Sequence, residues 1–472
     1  MDLSLQASNY HPVTAIGEIA DFIADPVAPA DFPQNILRFR NDRAAATVGL
    51  DGLDDAAWLA HFGRFEPLPG AQPQPLALRY HGHQFRHYNP DLGDGRGFLF
   101  AQLRESADAG GKKGGRLLDL GTKGSGLTPW SRTADGRLTL KGGVREVLAT
   151  EMLEALGVTT SRSFSLIETG EQLVRGDEPS PTRSAVLVRL GHGHIRIGSF
   201  QRLAYLGEQE NLARLTDYCL KNLLEIAPGD SPALTLLEAV VARTADLAAS
   251  YMVAGFVHGV LNSDNIAITA ESFDYGPWRF TPRWEPGFTA AYFDQNGLYC
   301  FARQAEAIHW DVAQLAGALQ EHAETEALVA ILRRYPQIYE QRLIARFLWR
   351  TGHEAPDEAT ARTFVEAAVL ALRESDILID RFFFDARRGD LSESLYAGPA
   401  WDQVRAVHAA LSPRPGHLDH AYWSGDALCS MHIDEVEAIW SAIAERDDWQ
   451  PLHDKVAAIR AMGAARGVGP GS

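Results

Sequence analysis

The sequence predicts an α+β fold of two lobes, a smaller strand-rich lobe followed by a larger helical one. Three observations carry this. Between about residues 80 and 204, strand-like apolar runs alternate with Gly-rich turns and are interrupted by one amphipathic helix. From about residue 205 onward, the apolar runs repeat at helical spacing. At 472 residues the chain is also too long for one ordinary core. The divisions expected are an N-terminal extension over 1–79, the strand-rich lobe over 80–204 and the helical lobe over 205–472.

Composition narrows the function classes. An apolar fraction of 46% with 22% charged residues is that of a soluble globular protein. Lys and Arg number 44 against 61 Asp and Glu, a net charge of −17, which argues against broad binding of nucleic acid or anionic lipid. Any phosphate site must therefore be a local basic cluster in an acidic protein. The start, Met1-Asp2-Leu3-Ser4, lacks the basic and apolar regions of a secretory signal, and no apolar run is long enough to span a membrane. Cys219, Cys300 and Cys429 are odd in number and widely spaced, which fits a reducing compartment. A cytoplasmic monomer without nucleic-acid or membrane partners is the expectation.

In chain order, Leu53 to Phe62 is a plausible amphipathic helix, and Glu66 to Pro75 reads as a linker. Tyr80-His81-Gly82-His83 invites a metal reading, but no carboxylate or Cys stands at ligand spacing, so a structural role is preferred. Gly93, Gly95 and Arg96 belong to a Gly-rich turn that runs into the apolar strand at Phe98-Leu99-Phe100. Such a turn lets backbone N–H groups approach phosphates, because Gly has no Cβ and tolerates positive φ, although Gly-Asp-Gly is also an ordinary hairpin turn. A Gly- and Lys-rich insert over 108–115 precedes a strand that Lys123 closes. Val144 to Gly157 then has helical spacing, with Glu146 in its first turn as a partner for Lys123. Ser184 to Leu190 is strand-like and carries Arg189, seven residues before Arg196. Two guanidiniums so placed suit a polyphosphate; two surface strand arginines are the bland alternative. Helices are expected over 211–227, 232–254, 305–322, 324–349, 357–373, 397–411, 433–446 and 451–465, with an irregular aromatic-rich segment at 278–304.

The helix at 232–254 leads into the most informative stretch, Val257-His258-Gly259-Val260-Leu261-Asn262-Ser263-Asp264-Asn265, with Asp274-Tyr275-Gly276 nine residues beyond Asn265. Protein kinases write H-R-D-x-x-x-x-N followed by D-F-G, and their Asn and second Asp hold the magnesium ions that bridge ATP phosphates. Each motif alone is also an ordinary turn. Together, at this spacing and after a long apolar helix, they predict a bilobal protein-kinase-like fold. The kinase base would stand at Val260, which neither accepts a proton nor binds metal.

These residues resemble the selenoprotein O family of pseudokinase-fold protein adenylyltransferases. The matching stretches run from Leu92-Gly93-Asp94-Gly95-Arg96 through Lys123-Gly124-Ser125-Gly126, Asp135-Gly136-Arg137, Arg145-Glu146 and Arg189 with Arg196 to His258–Asn265 and Phe273-Asp274-Tyr275-Gly276-Pro277. The resemblance implies that ATP lies reversed in the cleft and that AMP passes to Ser, Thr or Tyr hydroxyls of proteins, with release of pyrophosphate. It implies Asp264 as proton acceptor, and Asn265 and Asp274 as ligands of Mg²⁺, or of Mn²⁺ in its place. Gly93, Gly95, Arg96, Asp135 and Gly136 would contact ATP, while Lys123, oriented by Glu146, would bind phosphates with Arg189 and Arg196. Two departures stand out: no Cys follows Cys429 where family members often carry a C-terminal redox motif, and Leu140-Lys141-Gly142-Gly143-Val144 replaces the family's Arg-Ser-Ser before Arg-Glu. Two rival functions remain at this level. A small-molecule phosphotransferase is disfavoured by Val260, and a non-catalytic ATP-binding scaffold by the presence of Asp264, Asn265 and Asp274 together.

Overall fold

The structure is a computed structural model that describes residues 9–106, 115–176, 178–467 and 469; residues 108–114 of the Gly- and Lys-rich insert lie outside them. The strands before residue 195, in chain order, are β1 (Pro12–Val13), β2 (Ala24–Pro26), β3 (Ile36–Arg40), β4 (Leu76–Leu78), β5 (Gly82–Gln84), β6 (His87–Asn89), β7 (Leu99–Arg104), β8 (Leu117–Lys123), β9 (Leu138–Thr139), β10 (Arg162–Leu173) and β11 (Thr182–Gly191). Nine of them form one antiparallel sheet in the order β2-β4-β7-β8-β11-β10-β3, with β1 on β7 and β9 on β11; β5 and β6 make a separate hairpin. Residues 12–78, to which the sequence assigns no chemistry, thus supply four strands of this sheet.

Both faces of the sheet are buried, which is why β8 and β11 read as nearly continuous apolar runs. On one face Leu118, Leu120, Val186, Val188 and Leu190 pack beneath Trp58 and Phe62, from the helix Asp55–Phe62. On the other, Leu117, Ala185 and Leu187 meet Val144, Val147 and Leu148 of the helix Leu140–Ala155. That helix begins four residues before the expected Val144. Thr139 caps it, its hydroxyl accepting from the Gly142 N–H at 3.1 Å, and this offsets the low helix propensity of two glycines. Gly143 is needed there because a Cβ would collide with Leu166.

The helical lobe is led by Pro232–Ala254, with the bounds expected from its Pro start and Gly255 end. The single helix expected over 324–349 is two, Thr325–Leu332 and Tyr335–Thr351, because Pro336 opens a new first turn. Two helices went unforeseen, Ile197–Leu206 and Ile379–Arg388; in the second, the run Phe382-Phe383-Phe384 masks the helical period. The last helix, Gln450–Arg466, returns to the first lobe, where Arg460 donates to both carboxylate oxygens of Glu151 at 2.6 and 2.8 Å. Among the described residues no helix is long and apolar enough to cross a membrane.

Candidate active site

Lys123 ends β8 in the interior of the fold and has two acidic partners. Its ammonium bonds Glu146, from the second turn of the helix Leu140–Ala155, and lies 2.6 Å from Asp274 Oδ1. Arg189 on the adjacent β11 approaches the same Asp274 oxygen at 3.6 Å. Burial would raise the Asp274 carboxyl, but Lys123, Arg189 and Arg96 together hold it well below the usual carboxylate range. Asp274 also sits at φ +61°, a left-handed conformation that costs a non-glycine residue about 1–3 kcal/mol. Neutral His258 helps to hold it: the His258 Nε2–H donates to the Phe273 carbonyl at 3.1 Å, and burial lowers the imidazole pKa.

Asp264 has the opposite surroundings. It lies in a short 3₁₀ turn, Ser263–Asn265, and its Oδ1 is buried without a hydrogen-bond partner among the described residues. Burial pushes its carboxyl up to about 6, against an opposing pull from Arg196. The hairpin β5–β6 closes over it. A Cβ on Gly82 would lie 3.0 Å from Asp264 Oδ1, the His83 N–H donates to Ser263 Oγ at 2.7 Å, and the Phe85 N–H donates to Asn262 Oδ1 at 3.0 Å. Asn265 donates its amide N–H to the Val260 carbonyl at 3.0 Å, which commits the nitrogen and leaves the amide oxygen as the atom with ligand character.

Arg196 joins the two sides. Its guanidinium donates to the Asp264 backbone carbonyl at 3.0 Å and to Asp94 Oδ1 at 3.3 Å, and stacks 4.1 Å from the Tyr80 ring centroid. Asp94 stands between Gly93 and Gly95, so this contact brings the Gly-rich turn to the cleft. The glycines there serve packing. Neither adopts positive φ; a Cβ on Gly93 would collide with Trp130, and one on Gly95 would lie 3.0 Å from the Trp130 carbonyl. Gly136 does need positive φ, at +70°, and its carbonyl accepts from the Gly126 N–H at 3.2 Å, just past Lys123. Asp135 makes a bidentate pair with Arg175 at 2.8 and 3.0 Å.

Site residues missed from sequence are Gly82, Tyr80, Asp94 and Phe273. Tyr80-His81-Gly82-His83 was visible as a motif, and its Gly-flanked aromatic residues are the signal that was available. Among the described residues no three His, Cys, Asp or Glu side chains gather as a metal cluster. Nucleotide-bound magnesium needs less, one or two carboxylates with phosphate oxygens and water completing the shell. The ionised Asp274 and the Asn265 amide oxygen are hard oxygen donors that fit such a cation. Buried Arg189 Nε and Nη1, which lack hydrogen-bond acceptors, likewise fit a phosphate.

Residues 5–397 match the model of the family described as protein adenylyltransferase SelO. The chain belongs to this family. It is similar to the protein nucleotidyltransferase YdiU of Synechocystis sp., 40% identical over 478 residues that cover 95% of this chain and 97% of that protein. YdiU of Synechococcus elongatus is 42% identical over 94% of this chain and 93% of its own length. YdiU of Gloeobacter violaceus is 41% identical over 96% and 95%. The SelO match spans both lobes from the N-terminal strands to residue 397, so the whole cleft lies within it.

Proposed function

We propose that this SelO-family enzyme transfers AMP from ATP to Ser, Thr or Tyr hydroxyls of proteins and releases pyrophosphate. As a member of the family it is a protein nucleotidyltransferase with ATP as substrate. The observation that carries the finer reading is the split between two carboxylates: Asp264, dry and raised to about 6, and Asp274, ionised among cations. A general base works best with a pKa near the working pH, which describes Asp264. Val260, at the position of the kinase base, has an aliphatic side chain and contributes backbone groups alone, its carbonyl to Asn265 and its N–H to His258 Nδ1.

Asp264 takes the proton of the attacking hydroxyl, whose oxygen forms a bond to the α-phosphorus while the bond to the pyrophosphate oxygen breaks. Lys123, Arg189 and Arg196 stabilise the negative charge of the departing pyrophosphate in a water-poor cleft. Asn265 and Asp274 would hold Mg²⁺, or Mn²⁺ in its place, which supplies charge neutralisation at the phosphates. Gly93, Gly95, Arg96, Asp135 and Gly136 complete the nucleotide contacts in this reading, and Glu146 orients Lys123.

The test is transfer of label from ATP marked at either the α- or the γ-phosphate. Label from the α-phosphate is expected on protein, the enzyme included. Transfer of γ-label without α-label would replace this reading with a phosphotransferase.

A further inference from the structure

A cavity of about 890 Å³ lies where the two lobes meet, and Lys123 and Arg189 are not among the residues lining it. Its lining does include Leu118 and Leu190, which strand alternation places on the opposite face of the sheet from Lys123 and Arg189. The volume suits a small organic ligand. Leu118, Val158, Leu190, Leu223 and Leu247 give it an apolar wall.

The polar wall has a surplus of donors. Arg243, on the helix Pro232–Ala254, has no hydrogen bond or ion pair among the described residues, and its pKa is lowered by burial and by the like charge of Arg116. Thr269 Oγ1, on a buried residue of the lining, also lacks a partner among the described residues. His192 is no such donor: burial lowers its imidazole pKa to about 4, and its ring already bonds the Leu223 backbone. Four acidic residues of the lining are already paired, two of them with lining arginines. Glu151 and Glu154 pair with Arg43, Arg460 and Arg162, Glu225 with Arg104, and Asp246 with Arg346. Glu271, buried, is pushed up to about 7 by desolvation, and its Oε2 accepts from the His192 N–H at 2.6 Å. Arg116 is paired with Glu105 at 3.0 and 3.1 Å, so the unpaired guanidinium of Arg243 is the position that an anion would relieve.

We propose that this cavity is a second ligand site, which binds an oxyanion head group, phosphate or carboxylate, on a small apolar body. Arg243 and Thr269 hold the head group, and the leucines hold the body. The site sits behind the reaction centre: Glu271 precedes Asp274 by three residues, and His192 follows Arg189 by three. An occupant therefore braces both segments from the rear and links the helical lobe, through Arg243, to the sheet.

The test reads binding and does not depend on adenylyl transfer. Hexyl phosphate, hexanoate and inorganic phosphate are each titrated calorimetrically into the full-length protein, into Arg243→Met and into Arg189→Ala. At least one six-carbon probe is expected to bind saturably to the wild type and equally to Arg189→Ala, and at least about tenfold more weakly to Arg243→Met. The better of the two six-carbon probes identifies the head group, and weaker binding of inorganic phosphate reports the apolar wall. Without ligand, Arg243→Met should melt at or above the wild-type temperature, because it removes an uncompensated charge. Failure of every probe to bind, binding unchanged in Arg243→Met, loss of binding in Arg189→Ala, or a lower melting temperature of ligand-free Arg243→Met would overturn the proposal.

Discussion

Asp264 and Asp274 share a side chain and a cleft, yet their regions of the molecule are opposites. Around Asp274 three elements converge with cations, Lys123 from β8, Arg189 from β11 and Arg96 from the Gly-rich turn. Around Asp264 the hairpin β5–β6 and the stacked Arg196 exclude water while leaving Oδ1 without a partner among the described residues. Cations keep Asp274 ionised, which suits the metal-ligand role proposed for it, and desolvation raises Asp264, which suits the proposed proton acceptor. One reaction needs both states, and the fold supplies them within ten residues of chain.

The most severe way to break this contrast is Asp274→Ala, which removes the anionic oxygen that a phosphate-bridging cation needs. Turnover is expected to vanish and Mg-ATP affinity to fall, as measured by label transfer and by nucleotide titration. Asp264→Ala should instead preserve nucleotide binding and cut turnover about 10²- to 10⁴-fold. An unchanged kcat with lost ATP affinity would exchange the two roles. Arg189→Ala leaves Asp274 with Lys123 and should depress AMP transfer roughly 10²-fold, the cost of one preorganised charge-stabilising donor.

The smallest effect is the most specific. A base must be deprotonated to act, so kcat should rise with pH through about 6 and level off above it. Arg196 lowers the Asp264 pKa, so Arg196→Ala should move that limb to higher pH, besides reducing the rate. A limb that stays in place, measured as kcat against pH, would separate Arg196 from Asp264.

Lys123 and Glu146 were legible because each has a local signal, a strand end and the early turns of an amphipathic helix. Asn265 and Asp274 stood out from spacing to His258, and Asp264 only through the family resemblance. Asp94 was not singled out, because its importance arises from a bond to Arg196 across 102 residues. Gly82 escaped for the same reason: only the folded chain puts it against Asp264. The reason first given for Gly93 and Gly95 also needed correction, since Trp130, not positive φ, requires them. Helix limits failed where competing local terms were close, as at Thr139 against Gly142 and Gly143.

Residue identity alone was enough to rule out a kinase base at Val260, to supply oxygen donors at Asn265 and Asp274, and to predict a strand-rich lobe before a helical one. These follow from side-chain chemistry and periodicity, which are local. The division of labour between Asp264 and Asp274 is not local. A carboxyl pKa depends on how much water is excluded and which charges stand near, and here those neighbours come from β5, β8, β11, the Gly-rich turn and Arg196. Only the packed tertiary structure brings them together, so only it decides which aspartate has its pKa raised and which is held ionised.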